Sequence, residues 1–162
     1  DPKNGEIITA TILAGLVRID PDNAALYQAN QTAFVQKLQA KLTEWETMAA
    51  PLRGVPIVAY HNSWPYFARR FRIEILDIVE SKPGVPPAPS HLAAIVQKMK
   101  SRGAKIVIRE PHEPQRDAAF VADKVNGSVV TLAGSVGALP RADDYLALFD
   151  RNLEALLAGI KR

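Results

Sequence analysis

The chain has 162 residues, enough for one full hydrophobic core, and its 48% hydrophobic and 23% charged residues are ordinary for a globular protein. The formal net charge is only +3 and the basic residues are scattered, which argues against a nucleic-acid-binding face or a polybasic membrane patch. The absence of cysteine excludes disulfides, thiolate metal sites and cysteine nucleophiles.

The first fifty residues are predicted to be helical. Apolar residues from Ile7 to Leu16 recur at helical spacing, and Asp20-Pro21-Asp22-Asn23 is typical of the start of a second helix. Neither Pro nor Gly interrupts residues 22–50, so this second helix would extend over roughly 40 Å. It contains too few heptads to favour a coiled coil, and its length favours a strut that joins two domains.

After Gly54 the pattern changes to alternating strands and helices. Such alternation predicts an α/β domain with a four-stranded parallel sheet and helices on both faces. Strands are predicted at 55–60, 73–79, 105–108 and 128–132, and helices at 64–71, from Ser90 as N-cap to Gly103, at 116–125 and at 143–160.

Ligands of an open parallel sheet bind beyond the carboxyl ends of its strands. Five residues with polar side chains follow the predicted strands and are expected to approach one edge of the sheet: His61, Glu80, Glu110, His112 and Ser135.

His61 and Glu110 are the candidate metal ligands of this group. Imidazole binds borderline divalent metals, and a loop at the end of a strand holds it rigidly, although His61 could equally cap the following helix. Glu110 could act as an oxygen ligand or accept an imidazole N–H, or it could pair with Arg109. His112 and Glu113 follow a proline, and solvated side chains are the simpler expectation for both.

No catalytic motif accompanies these residues. Gly134-Ser135-Val136-Gly137 lacks the lysine of a phosphate-binding loop, and Ser63 has no nucleophile-elbow context. No dinucleotide-binding fingerprint follows any strand. The sequence therefore predicts a protein that is not an enzyme. An enzyme that uses His61 as a general base is an alternative, but no motif supports it.

Four segments together resemble the family of periplasmic receptors that serve zinc and manganese ABC transporters. Residues 1–4 are similar to the stretch that follows a ligand histidine in that family, and residues 19–30 to the start of its rigid spine helix. Residues 58–67, Val-Ala-Tyr-His-Asn-Ser-Trp-Pro-Tyr-Phe, resemble the strand and loop that deliver a ligand histidine from the C-terminal lobe. Residues 106–111 resemble a strand whose glutamate lies beside the metal.

The resemblance implies a two-lobed receptor that holds a metal ion between its lobes with histidines and a carboxylate. Residues 1–50 would then comprise N-terminal helices that include the interdomain spine, and 51–162 the C-terminal α/β lobe, with His61 as one ligand. The other histidine ligands and the N-terminal lobe would lie upstream of Asp1, so the site would be incomplete here. In the family an aspartate commonly follows the fourth strand, whereas this chain has Ala133-Gly134, which leaves Glu110 or water as the oxygen ligand.

The same resemblance implies capture of zinc or manganese as transported ligand, delivery to an ABC-transporter permease, and a periplasmic or membrane-anchored extracytoplasmic location. Self-association through an exposed interlobe face is a further expectation. The alternative is a flavodoxin-like interaction or regulatory module that dimerises through its long helix, although the strand ends lack the acidic cluster of a phosphoacceptor site.

Overall fold

Two helices and a short 3-10 turn form the first of two units, Asp1–Thr47, in the computed structural model, which describes residues 1–82 and 84–161. Helix α1 (Asn4–Ile19) has Asp20 as its C-cap, and the turn Pro21–Asn23 leads into helix α2 (Ala24–Met48). The carboxylate of Asp20 accepts hydrogen bonds from the Tyr27 hydroxyl (2.5 Å) and the Asn23 amide (2.9 Å), which lower the pKa of Asp20. The predicted helix start at residues 20–23 is confirmed, and the 25 residues of α2 correspond to about 38 Å.

The second unit, Met48–Arg162, alternates strands and helices as predicted. After a 3-10 turn at Ala50–Leu52, the elements are β1 (Pro56–Ala59), α3 (Pro65–Phe71), β2 (Glu74–Ile78), α4 (Pro89–Arg102), β3 (Ile106–Arg109), α5 (Gln115–Asp123), β4 (Ser128–Thr131) and α6 (Tyr145–Ile160). The strands form one parallel sheet in the order β2-β1-β3-β4, which confirms the predicted α/β fold.

Short runs of β-branched residues bury both faces of this sheet, as parallel strands require. On one face Val58 and Val107 belong to a core that contains the apolar residues of α4 and α5. On the other face Val130 and Ile106 lie against Gly159 of α6. Helices therefore cover both faces, and the strand ends remain the place where polar loops can meet.

The start of α4 differs from the sequence prediction. Ser90 was expected to cap this helix, but the helix already begins at Pro89, and no side chain caps it. Proline suits the first helical position because its missing N–H has no intrahelical partner there. The helix ends as predicted at Gly103, which adopts the left-handed conformation (φ 65°).

None of the helices in the described part of the chain combines the length and apolar character needed to cross a membrane.

Candidate metal site

The strand order places a crevice between the ends of β1 and β3. The chain runs from β1 to β2 on one side, and then crosses to β3 on the other side of β1. At such a reversal the loops after the two central strands diverge and leave room for a ligand. His61 follows β1 and Glu110 follows β3, so both candidate ligands lie at this crevice.

His61 is oriented by the loop that follows β2. Its Nδ1 lies 3.3 Å from the backbone oxygen of Glu80, and its side chain is 23% exposed. Because a carbonyl oxygen can only accept a hydrogen bond, this contact favours the tautomer with the proton on Nδ1. The lone pair then belongs to Nε2, which lies 3.7 Å from Glu80 Oε1 and 3.9 Å from Glu113 Oε1.

The Glu80 carboxylate is held by two donors. Its Oε1 accepts the backbone N–H of Gly84 (2.6 Å), and its Oε2 accepts the hydroxyl of Tyr60 (3.2 Å). Burial, reinforced by the negative charge of Glu80, raises the pKa of Tyr60 to about 12, so Tyr60 remains a neutral donor. Backbone bonding also joins these residues, since the N–H of Glu80 donates to the oxygen of Tyr60 (2.9 Å).

Glu113 is buried, and the expectation that it is solvated is wrong. It is only 3% exposed, and its Oε2 accepts the backbone N–H of Glu110 (2.6 Å). Arg109 fixes the same turn by donating from Nη1 to the carbonyl oxygens of Glu110, Pro111 and Glu113. The tight turn folds the side chain inward, and the prolines on either side of His112-Glu113 were the available sign of a rigid loop.

Burial raises the pKa of Glu113, against the opposing effects of the Glu110 N–H and of His61. Its Oε1 has no hydrogen-bond partner in the described part of the chain.

The other predicted site residues, Glu110, His112 and Ser135, differ from one another in their contacts and exposure. The carboxylate of Glu110 lies over Gly134, where a Cβ atom would be 2.0 Å from its Oε2. The same oxygen is 4.0 Å from Nδ1 of His112, whose side chain is 72% exposed and thus solvated, as expected. Ser135 is exposed. Among the described residues, no ion pair within 4.0 Å joins His61 to Glu110.

These contacts do not make a complete coordination sphere. Within residues 1–82 and 84–161, no three His, Asp or Glu side chains are grouped so that they could hold a metal ion. The third histidine, His91, directs Nε2 at the backbone oxygen of Ile78 (2.9 Å) on β2. What the crevice offers is one oriented imidazole with two carboxylates within 4 Å of its Nε2.

Comparisons with known proteins identify the family of this chain. A family described as zinc-uptake complex component A, periplasmic, matches residues 1–159. The high-affinity zinc uptake system protein ZnuA of Brucella abortus is 34% identical over 116 residues, which cover 71% of this chain and 35% of that protein. The manganese-binding lipoprotein MntA of Halalkalibacterium halodurans is 26% identical over 173 residues, covering the whole chain and 56% of the relative.

A solved structure described as the crystal structure of ZnuA has the same fold, with a TM-score of 0.85 and 23% identity over 98% of this chain and 57% of the other. The chain thus spans between about a third and somewhat more than half of the length of these relatives. The matches do not favour the alternative of a flavodoxin-like interaction module. The family match over nearly all of its length shows that this chain belongs to the periplasmic zinc-uptake complex component A family.

Proposed function

We propose that this chain supplies the C-terminal lobe of a solute-binding protein that captures zinc or manganese and delivers it to an ABC importer. The observation that carries the proposal is His61, whose Nδ1 faces a carbonyl oxygen and whose Nε2 lies within 4 Å of two carboxylates, Glu80 and Glu113. The relation to a zinc uptake protein and to a manganese-binding lipoprotein supports the choice of ligand.

In this proposal His61 binds the metal through Nε2, and the contact with the Glu80 backbone keeps the ring in place. A second contact that fixes the ring of a ligand histidine is a regular feature of metal sites. Glu110 is the proposed oxygen ligand, because its carboxylate fills the space over Gly134, next to Ala133 at the place where the family commonly has aspartate. Capture requires only binding and release of the ion, and no bond of a substrate changes, so the proposed role is not enzymatic.

The proposed location of the protein is outside the cytoplasm, and its proposed macromolecular partner is the permease of an ABC transporter. Residues 1–50 would link two lobes, with 51–162 carrying this chain's ligands. The remaining ligands would come from the second lobe of the receptor. Self-association through exposed apolar residues of α1 is a further part of the proposal.

Titration of the 162-residue chain with zinc and with manganese by calorimetry tests the proposal. We expect weak, saturable binding by the parent chain, and loss of that binding in His61→Ala, because the substitution removes the imidazole that the Glu80 backbone orients at the end of β1. His112→Ala is the matched control, since it also removes one histidine, but one that is exposed to solvent.

Retained affinity in His61→Ala would contradict the proposal. So would an equal loss in both histidine variants, since that result would indicate non-specific binding to surface imidazoles.

A further inference from the structure

We propose that Glu113 is a metal ligand of this chain, and that its Oε1 binds the same ion as His61 Nε2. This inference rests on the proposed function and adds a residue to its site. It starts from a feature that the fold alone does not explain, a buried carboxylate oxygen without a hydrogen-bond partner in the described part of the chain.

An unpartnered carboxylate oxygen is rare inside a protein. Burial removes the water that would stabilise the charge, and the free energy of folding suffers unless a donor or a cation replaces that water. Glu113 is 3% exposed, and its Oε1 lies in ion-pair range of His61 Nε2, at 3.9 Å. A divalent cation between these two atoms would give each of them a partner.

The distances suit such an ion. Two ligands that each bind a tetrahedral zinc ion at about 2.1 Å lie about 3.4 Å apart. Nε2 and Oε1 are thus about half an ångström too far apart, which a small rotation of either side chain can close. The other oxygen of Glu113 is anchored by the backbone N–H of Glu110, at 2.6 Å, so the carboxylate already points Oε1 at the crevice.

The two neighbouring carboxylates, those of Glu80 and Glu110, have other contacts. Both oxygens of Glu80 accept hydrogen bonds, from Gly84 and from Tyr60. Glu110 directs its Oε2 to the space over Gly134 and is within 4.0 Å of His112. Of the two carboxylates within 4 Å of His61 Nε2, Glu113 is therefore the one with an oxygen that accepts no hydrogen bond in the described part of the chain, and Glu80 contributes negative charge nearby.

The test compares Glu113→Gln with the control Glu74→Gln in the 162-residue chain. Glutamine at 113 can still accept the N–H of Glu110 through its amide oxygen, so the turn keeps its hydrogen bond while the anionic ligand is lost. Glu74, the first residue of β2, pairs with the exposed Arg102, and its substitution removes the same charge at the amino end of a strand, away from the carboxyl ends where His61 and Glu113 lie. Zinc binding is measured by calorimetry and manganese binding by the electron paramagnetic resonance of the free ion, with circular dichroism to check folding.

We expect Glu113→Gln to weaken zinc binding about tenfold and manganese binding by more, because carboxylate ligands matter most to manganese. Glu74→Gln should bind as the parent does. If Glu113→Gln does not fold, Glu113→Asp keeps the charge, withdraws the oxygen by one methylene and should also bind more weakly.

Three results would overturn the inference. Parent-like affinity in Glu113→Gln, with binding lost in His61→Ala, would remove Glu113 from the site and leave the proposed function intact. A manganese loss no greater than the zinc loss would contradict the role of Glu113 as an anionic ligand of the ion. No binding of either metal by the parent chain would overturn the proposed function together with the inference.

Discussion

The buried side chain of Asn152 holds the backbone of Ala133, next to the glycine over which the Glu110 carboxylate lies. It is 1% exposed on α6, its Oδ1 accepts the N–H of Ala133 (2.8 Å), and its Nδ2 donates to the oxygen of the same residue (2.8 Å). The amide thus replaces a strand partner just beyond the end of β4, and fixes the backbone next to Gly134, against which Glu110 packs.

We expect Asn152→Ala to lower the free energy of unfolding by about 2 to 4 kcal/mol, because two buried backbone groups lose their partners. Urea denaturation followed by circular dichroism measures the change. Asn30→Ala, at an exposed position of α2, is the control and should leave the stability of the protein nearly unchanged. A loss below about 1 kcal/mol in Asn152→Ala would mean that water replaces the amide.

The sequence pointed to some residues of the proposed site and not to others, for physical reasons. His61 could be located because it follows an apolar strand, and the ends of parallel strands share one edge. Glu113 could not, because its burial depends on a turn that Arg109 fixes through three carbonyl oxygens, and such contacts leave no periodic pattern. Whether Glu110 or Glu113 binds the ion depends on side-chain directions that spacing does not determine.

The elements themselves were more predictable than their ends. Apolar periodicity located the helices, because burial repeats with the period of the helix, and short continuous apolar runs located the strands, which are buried on both faces. Ser90 failed as a helix start, since serine is one of several ways to begin a helix and Pro89 already provided another. Gly103 succeeded as a helix end because few residues other than glycine adopt the left-handed conformation without strain.

Helix α6 lies so close to the sheet that one glycine becomes essential to its packing. A Cβ atom on Gly159 would lie 2.7 Å from Cγ2 of Val130, closer than carbon atoms approach in proteins. We expect Gly159→Ala to destabilise the protein by about 1 to 3 kcal/mol, because either the helix or Val130 must move. Thermal and urea denaturation measure the effect.

Gly15→Ala is the matched control for this prediction. Gly15 also lies within a helix, α1, but nothing approaches within 4 Å of the position that its Cβ atom would take. The substitution should stabilise α1 by about 0.5 to 1 kcal/mol, since alanine loses less conformational freedom than glycine on folding. If Gly159→Ala stabilised the protein as Gly15→Ala is expected to, helix propensity rather than packing against Val130 would govern Gly159.

At the scale of the whole molecule, α1 presents an apolar face to solvent. Ile8, Ile12 and Ile19 are 51%, 53% and 72% exposed, and at 100° per residue they lie on one side of the helix. Exposed apolar residues grouped in this way favour association, because covering them releases ordered water. We therefore expect the 162-residue chain to self-associate with rising concentration, as light scattering during gel filtration would show.

The double variant Ile8→Glu/Ile12→Glu tests the role of this face. Two like charges on it should shift the chain to the monomer mass, because association would bury carboxylates without partners. Val136→Glu is the control, since Val136 is similarly exposed, at 49%, but lies outside the helix in the loop that follows β4. A parent chain that stays monomeric at high concentration would refute self-association through α1, and equal dissociation by both variants would place the contact elsewhere. Because neither variant touches His61 or Glu113, metal titration of the resulting monomer also shows whether one copy of the chain binds the ion without a second.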